Sequence, residues 1–463
     1  MNPKSLREIY DEPNISKSKY TSQFGLNKKL VIEISKQKQE PEWMLKKRLQ
    51  AFDFYQKTPL PDWGPSLANL NLDEIRYFVR PDTEETNNWD EVPDEIKSTF
   101  QKLGIPEAEH KALGGVGAQY DSDIVYHNLK QSLQDKGVIF ENMDTAVQKY
   151  PDLVKKYFMT KCIPINDHKF IMLHGAVWSG GTFIYVPPNV TVELPLQAYF
   201  RMNMQSGGQF EHTLIIVDEG SELEYIEGCS APRFEKSALH AGCVEIFVHK
   251  NAKVKYISIE NWSKNTYNLN TKRAIVEENG TIQWLNGNMG SGVTMLYPCS
   301  VLVGEGAKSD SLGIAFAGKN QIQDTGSKVI HVAPDTSSTI SSKSISKSNG
   351  ISNYRGLVRV LPKAINSVIS VQCDALLLNN GAISNTYPTM KIENNQTEIT
   401  HEAKVGRLGE AELFFLESRG LSNDQAKRMI INGFSEPVIK SLPLEYAVEL
   451  NRLIELEIQD DDS

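Results

Sequence analysis

Five cysteines carry the most distinctive chemistry in this chain: Cys162, Cys229, Cys243, Cys299 and Cys373. No two of them form a CxxC pair, and their irregular spacing excludes a local four-cysteine metal site. An odd, scattered set is also a poor disulfide framework. The sequence therefore predicts free thiols that serve mostly as packing residues.

Two other segments resemble catalytic motifs without completing them. The stretch GIAFAGKN at residues 313–320 ends in Asn320, where a phosphate-binding P-loop needs Ser or Thr to hold Mg²⁺. The stretch HEAKV, which begins at His401, lacks the second histidine of a zinc protease. The sequence predicts neither chemistry, and we expect the chain not to be a free-standing enzyme.

The elements that position these residues fall into three segments. Residues 1–158 carry apolar residues at helical spacing, as in EWMLKKRLQAF, and predict a mainly helical N-terminal domain. Residues 159–400 consist of short β-branched runs broken by Gly, Asn, Asp or Pro, and predict an all-β core. Residues 401–463 return to the helical period. Their many apolar residues are expected to pack against the open end of the core or against a partner.

The β core contains a repeat of near-constant length. Seven segments superimpose as an apolar residue, any residue, a valine, a turn and an alternating strand. The shared valines are Val186, Val217, Val248, Val276, Val303, Val332 and Val360. One such unit cannot bury its own apolar face, whereas stacked units bury a continuous core. The repeat predicts a mainly β fold, with a right-handed parallel β-helix between helical ends. A β-propeller is the alternative, although its units are longer, roughly 40 to 50 residues.

Charge and hydropathy restrict the partners and the compartment. The chain has 463 residues and a formal net charge of −9, which favours protein partners over nucleic acid or an anionic membrane. Its start, MNPKSLREIYDEPN, has no apolar run behind its basic residues, and no stretch approaches 18 apolar residues. We expect a cytoplasmic protein that does not enter membranes.

Several strings together resemble the SufB branch of the SufB and SufD family, which assembles iron–sulfur clusters in the SUF system. They are EPEWMLKKRLQAF, GGVGAQYDSDIVYHNL, GQFEHTLIIVDEGSELEYIEGCSAP, QCDALLL and HEAKVGRLGEAELFF. The resemblance runs from about Glu40 to the C-terminus, and GCSAP together with the QCD and HEA strings favours SufB over SufD. It implies a scaffold that builds a labile iron–sulfur cluster at a subunit interface.

The resemblance also implies partners. They are a SufC-like ATPase that docks on the C-terminal helical domain, a SufD-like paralogue or a second copy of the chain, and a cysteine desulfurase system as sulfur donor. ATP hydrolysis is then expected in the SufC-like subunit. Reduced flavin is implied as a source of electrons.

A sulfur acceptor and a cluster site are implied by the same resemblance. The persulfide-accepting cysteine falls on Cys229, and its small neighbour Gly228 is expected to leave the sulfur accessible. The cluster ligands that hold iron fall on Cys373 and Glu402, with His401 beside them. Clusters usually have four thiolate ligands, so one thiolate with harder ligands predicts that the cluster is bound loosely. The incomplete ligand set also predicts that a second subunit completes the coordination. Alternatively, His401 and Glu402 cap the first C-terminal helix, and the cysteines are inert.

A polar path for sulfur is implied along the β-helix interior. It maps onto Arg201, Asn203, Trp262 and Lys272, and its cationic donors would hold a sulfur anion and make the receiving thiol more acidic. Where the family pattern has Gln, this chain has Glu260. Its negative charge would oppose a migrating anion unless it is protonated or paired with Arg201 or Lys272.

Two other classes of function remain open at this stage. A β-helix carbohydrate lyase or hydrolase needs clustered carboxylates or Ca²⁺ sites along one face and is usually secreted. The sequence shows neither feature. The other alternative is a purely structural solenoid without a cofactor, which reconstitution with iron and sulfide would distinguish from a cluster scaffold.

Overall fold

The computed structural model describes residue 13 and residues 17–94, 96–97, 113–234 and 236–459. Its N-terminal part mixes helices with short strands. In chain order these are β1 (Ser18–Thr21), α1 (Lys28–Gln37), α2 (Glu42–Lys57), β2 (Val79–Pro81), β3 (Gly115–Tyr120), β4 (Asp123–Leu129), α3 (Gln131–Gln134), β5 (Ile139–Asn142), α4 (Met143–Lys149), α5 (Pro151–Tyr157) and α6 (Lys169–Val177). Pro151 separates α4 from α5 because proline fits the first turn of a helix and not its interior. The helices cover the outer faces of the core, and β3, β4 and β5 join its sheets, so this part is less helical than predicted.

The core is a β-solenoid of about eight turns. Its strands are β6 (Thr182–Val186), β7 (Leu196–Arg201), β8 (Gly208–Gln209), β9 (His212–Val217), β10 (Glu222–Ser230), β11 (Ala238–His240), β12 (Cys243–Val248), β13 (Lys253–Trp262), β14 (Thr266–Asn268), β15 (Thr271–Val276), β16 (Thr281–Gly290), β17 (Val293–Leu296), β18 (Cys299–Leu302), β19 (Lys308–Ala317), β20 (Ile322–Thr325), β21 (Lys328–His331), β22 (Ser337–Ser346), β23 (Ile351–Val360), β24 (Val368–Leu377), β25 (Ile383–Ile392) and β26 (Glu398–Arg407).

The strands of successive coils pair in parallel and form two large sheets. A ten-stranded sheet has the order β26-β24-β22-β19-β16-β13-β10-β7-β3-β4, and the other coil strands form a fourteen-stranded sheet. This stacking confirms the predicted solenoid and excludes a propeller, whose blades are separate four-stranded sheets. The ten-stranded sheet ends at β4, which is antiparallel to β3 and is covered by the segment around Thr86. Its other end is β26.

The register predicted from the valine repeat is correct in most coils. In two coils, those of Val303 and Val332, it is shifted by one residue. The first four valines lie in register, but Val276 pairs with Leu302, Leu302 with His331, and His331 with Val360. A shift of one residue turns a side chain to the other face of a strand. Val303 is accordingly 40% exposed, whereas Leu302 is fully buried.

Three C-terminal helices follow the last coil: α7 (Glu410–Glu417), α8 (Asn423–Ile439) and α9 (Leu444–Gln459). Ser422 and Gln425 form the predicted capping box at the start of α8. Ile431 and Leu450 of α8 and α9 pack against Ile257 on the outer face of the ten-stranded sheet. The helical domain therefore lies along the side of the solenoid and not across its open end.

Strand β26 crosses the domain boundary predicted after residue 400. It pairs with β24 over the full length of both strands, and the last coil therefore extends to Arg407. The helices begin at Glu410. Among the helices that the structure describes, none combines the length and apolar character needed to cross a bilayer.

Candidate functional site

Cys229 lies on the inner wall of the solenoid and is 1% exposed. It occupies β10, where it is in register with Phe200 and Glu260 of the neighbouring coils. The expectation that Gly228 leaves the sulfur accessible is wrong. A Cβ atom at Gly228 would lie 2.6 Å from the ring of Tyr199, so this glycine makes room for an aromatic ring on the outer face.

Three charged side chains meet beside this thiol. Lys272 reaches across the interior from the fourteen-stranded sheet, and its Nζ lies 3.0 Å from Glu260 Oε1 and 3.3 Å from Glu227 Oε1. The same Glu227 oxygen lies 4.0 Å from Cys229 Sγ. We call Glu227, Glu260 and Lys272 the buried charge cluster. Glu260 is thus paired with Lys272, one of the two cations that the sequence proposed for it.

A chain of hydrogen bonds extends the buried charge cluster. The Trp262 indole donates to Glu260 Oε2 at 3.3 Å, and the Asn268 amide donates to the same oxygen at 2.5 Å. Asn268 Oδ1 lies 2.8 Å from His240 Nδ1, and His240 Nε2 lies 2.5 Å from Glu211 Oε1. Sequence reasoning found Trp262 but missed Asn268, His240 and Glu211.

The electrostatics of the site keep the thiol protonated. Burial raises the pKa of Cys229 well above its usual range, Glu227 and Glu260 raise it further, and Lys272 opposes them only in part. Burial alone would also raise the pKa of Glu260, but the charges of Lys272 and His240 and the hydrogen bonds from Lys272 and Asn268 together outweigh burial and lower that pKa. The predicted acidic thiol is therefore wrong, because burial and the neighbouring carboxylates together outweigh the one ammonium group.

Two predicted path residues lie apart from this cluster. Arg201 is in register with Ser230, and its Nη1 donates to Ser230 Oγ at 3.0 Å. Ser230 follows Cys229, and successive residues of a strand point to opposite faces, so Arg201 lies on the outer face. Asn203 follows the end of β7, where Asp121 Oδ1 accepts its main-chain N–H at 2.7 Å. Only Glu260, Trp262 and Lys272 of the predicted path gather near the thiol.

A second set of interior residues, missed from the sequence, forms what we call the polar column. Its members occupy one register position on successive strands of the ten-stranded sheet: Glu227, Ser258, Asn286, Gly313, Ser342 and Cys373. Ser258 donates to Asn286 Oδ1 at 3.0 Å. A cavity of about 20 Å³ is lined in part by Asn286, Gly313 and Ser342, which is enough room for one water molecule.

The polar column connects the two cysteines singled out in the sequence. It begins at Glu227, beside Cys229, and ends at Cys373. The strands that carry the two thiols are five positions apart in the sheet, or about 24 Å at a spacing of about 4.8 Å per strand. The alternation of inward and outward residues along each strand could have revealed this column once the register was known.

Cys373 lies on the inner wall of β24 and is 4% exposed. Burial raises the pKa of its thiol to about 12, although a hydrogen bond with Tyr354 acts in the opposite direction. Binding of a metal requires the thiolate, so iron would have to displace this proton. The buried thiol belongs to the last coils of the solenoid, where the interior begins to open.

Strand β26 places His401 and Glu402 on opposite faces. His401 is in register with Val371, and Glu402 with Gln372, while Cys373 pairs with Ala403. His401 therefore shares the inner face with Cys373, at a diagonal Cα spacing of about 8 Å. Glu402 points outward. Because both residues lie within a strand, the alternative in which they cap a helix is wrong.

The last coil leaves the interior of the solenoid uncovered. Within the described chain, β26 pairs only with β24, and β25 pairs only with β23. Val405 on the inner face of β26 is 57% exposed, and Tyr387 on β25 is 44% exposed. Two strand edges with apolar side chains are therefore available at this end of the molecule.

Comparison with known proteins decides the family. Residues 200–434 match the family described as SUF system FeS cluster assembly, SufBD core domain, and residues 14–198 match the SufBD protein N-terminal region. An iron–sulfur cluster assembly SufBD family protein of Staphylococcus aureus strain MRSA252 is 53% identical over 440 residues, which cover 95% of this chain and 94% of that protein. A SufBD family protein of Staphylococcus haemolyticus strain JCSC1435 is similar to the same extent.

The chain belongs to the SufBD family. Membership in this family implies an iron–sulfur cluster as the cargo of the SUF system. The comparisons apply equally to SufB and SufD, which are its two branches.

The residues at the open end fit such a cargo only in part. Cys373 and His401 share one face of the wall, and a thiolate and an imidazole are both iron ligands. Glu402 is turned away and forms an ion pair with Lys404 at 3.0 Å. Since clusters usually have four protein ligands, Cys373 and His401 alone would not complete the coordination of a cluster.

We expect the thiols of this SufBD chain to react slowly with alkylating reagents in the native state. All five cysteines are free and buried, and burial raises the pKa of Cys229 and Cys373. Mass spectrometry after brief iodoacetamide treatment at neutral pH should detect almost no modification, and five modified thiols in denaturant. Rapid modification of native Cys229 would contradict the enclosed site.

Proposed function

We propose that the chain is a SufB-type scaffold, and not a free-standing enzyme, on which a labile iron–sulfur cluster is built. In this proposal Cys229 accepts persulfide sulfur, the polar column conducts it, and Cys373 receives it at the open end. The observation that carries the proposal is the polar column itself, because small and polar side chains occupy one register position on every strand from Glu227, beside Cys229, to Cys373.

The transfer can be written so that atoms and electrons balance. A donor persulfide gives its terminal sulfur to the Cys229 thiolate, forming the Cys229 persulfide and releasing the donor thiolate. Glu227 is the nearest proton acceptor for the Cys229 thiol, at 4.0 Å, and burial raises its pKa towards that role. Two electrons and one proton from reduced flavin, which we propose as the reductant, then cleave the S–S bond of the Cys229 persulfide anion. The products are the Cys229 thiolate and hydrosulfide, and it is this hydrosulfide that the polar column conducts to Cys373. A cysteine desulfurase system is the proposed donor.

The incomplete ligand set supports a second subunit at the open end. The exposed edges of β25 and β26 and the apolar side chains of Tyr387 and Val405 suit pairing with another solenoid. We propose a SufD-like paralogue or a second copy of the chain as this partner. It would supply the remaining ligands beside Cys373 and His401, and Glu402 could serve only if the partner approaches its outer face.

Helix α7 supports docking of a SufC-like ATPase. None of its residues is buried, and Phe414 and Phe415 are 71% and 56% exposed. A shallow groove of about 480 Å³ beside Phe415 is lined by Leu416 and Ile430. An apolar patch of this kind on a helix suits a protein partner. We also propose that the protein acts in the cytoplasm. All five cysteines are free thiols, as expected for a protein in a reducing compartment.

The two thiols can be tested separately in the co-expressed complex. We expect Cys229→Ser to abolish persulfide on this chain, and Cys373→Ala to keep that persulfide while bound iron and acid-labile sulfide fall at least about tenfold, as for loss of a metal-site residue. Cys299→Ser removes another buried thiol and serves as the control. Wild-type levels of iron and sulfide in both variants would refute the proposal. Glu260→Gln restores the family's residue, and unchanged sulfur transfer in that variant would place the path elsewhere.

A further inference from the structure

A cleft of about 980 Å³ lies at the N-terminal end of the solenoid, at the opposite end of the ten-stranded sheet from β26. Its lining includes Glu85, His127 of β4 and Glu141 of β5. These three residues take no part in the proposed sulfur chemistry. They come from three different chain segments, so the fold, and not local sequence, brings them together.

The potential ligand atoms of these residues are close enough for one metal ion. One imidazole nitrogen and one carboxylate oxygen from each glutamate all lie within 4.8 Å of one another. Nε2 of His127 is inaccessible to solvent and has no hydrogen-bond partner among the described residues. A buried nitrogen without a partner is costly, and a bound cation would satisfy it.

Two of the ligands are also held in place by neighbouring groups. The His127 ring packs against Phe140 with ring centroids 4.5 Å apart. Asn142 Nδ2 donates to Glu85 Oε2 at 2.9 Å. Such outer contacts orient metal ligands.

We propose that His127, Glu85 and Glu141 bind a divalent first-row transition metal ion. One nitrogen and two carboxylate oxygens suit Mn²⁺, Fe²⁺, Co²⁺ or Zn²⁺, whereas Mg²⁺ and Ca²⁺ prefer oxygen ligands alone. Three protein ligands would leave coordination positions for water or a small anionic ligand. Burial lowers the pKa of His127 to about 4, so the imidazole is neutral at pH 7, the form that binds metals.

Lys149 is the group that a metal would displace. Its ammonium neutralises Glu141 in the ion pair, and a divalent cation between the carboxylates would repel it. Lys149→Met is therefore expected to strengthen metal binding about two- to fivefold, the equivalent of a surface ion pair. A purely structural role for the three residues would not produce this gain.

The test is titration of the full chain with Co²⁺, followed by calorimetry and visible absorption. Wild-type protein is expected to bind one ion with the spectrum of nitrogen and oxygen ligands and without thiolate charge-transfer bands. His127→Ala and the conservative Glu141→Gln should each weaken binding at least about tenfold. His249→Ala is the matched control, because His249 pairs with Glu277 at 3.0 Å elsewhere on the solenoid.

Several outcomes would overturn the proposal. They are no Co²⁺ binding by the wild-type chain, binding that shows thiolate bands only, or equal binding by wild type, His127→Ala and Glu141→Gln. The result does not depend on sulfur transfer, because the cleft and the polar column share no residue.

Discussion

The Lys272→Met variant is expected to lower the free energy of unfolding by about 3–5 kcal/mol, the usual cost of removing one partner of a buried ion pair. Lys272 is the cation of the buried charge cluster, and its side chain and those of Glu227 and Glu260 are at most 1% exposed. Methionine has a similar length but leaves both carboxylates without a counter-charge. They must then take up protons or stay charged in an apolar interior, and either result weakens the folded state.

Urea unfolding followed by the fluorescence of buried tryptophans such as Trp262 measures this loss. Lys253→Met is the matched control, since Lys253 pairs with Glu222 at 2.7 Å on the exposed surface, between the two strands that carry Glu227 and Glu260. Its expected cost is at most about 1 kcal/mol. The double variant Lys272→Met with Glu260→Gln should recover about half of the loss, because Glu227 is still left without a counter-charge. Equal stability of Lys272→Met and Lys253→Met would disprove the electrostatic role.

Gly313→Leu is expected to stop sulfur from reaching Cys373 while Cys229 still receives it. Gly313 lines the small cavity in the polar column, and the nearest atom to an added Cβ is Asn286 O at 3.9 Å. A leucine side chain would fill this space and extend an apolar barrier across the column. The prediction depends on the proposed sulfur route and is measured with ³⁵S-labelled donor in the co-expressed complex.

Gly313→Ala is the control for this experiment. Its single methyl group makes only ordinary van der Waals contacts, so the cavity is narrowed and not closed, and transfer should stay near the wild-type level. Leucine carries an overpacking cost of about 1–3 kcal/mol, which thermal unfolding of the complex would reveal. If the folded Gly313→Leu complex delivers label to Cys373 at the wild-type rate, the column is not the route.

The solenoid could be predicted from the sequence because most coils repeat the same inward valine at near-constant spacing. The prediction slipped at Val303 and Val332 because each directly follows the true inward residue, Leu302 or His331, and a one-residue shift turns a side chain to the other face of the strand. The end of the core was placed too early. β26 is exposed on both faces, so its polar sequence does not resemble that of a buried strand.

The site was predictable in its residue types and less so in its geometry. Four residues that the resemblance singled out lie close together, while their role in sulfur transfer stays a prediction: Cys229, Glu260, Trp262 and Lys272. Their electrostatics could not be read from the sequence, because the pKa of Cys229 depends on Glu227, which looked like an ordinary strand residue. The position of Glu402 relative to Cys373 depends on the register between β24 and β26, which no single segment encodes.

The unequal ends of the solenoid limit how many copies can be joined. The N-terminal end of the ten-stranded sheet is closed by the β3–β4 hairpin and the segment around Thr86, while β26 stays open. If two such open ends meet about a two-fold axis, each uses the other's edge and neither presents a new one. Assembly then stops at a dimer, because no exposed strand edge is left to bind a third copy. This closure would protect a molecule with an exposed edge strand from forming fibres.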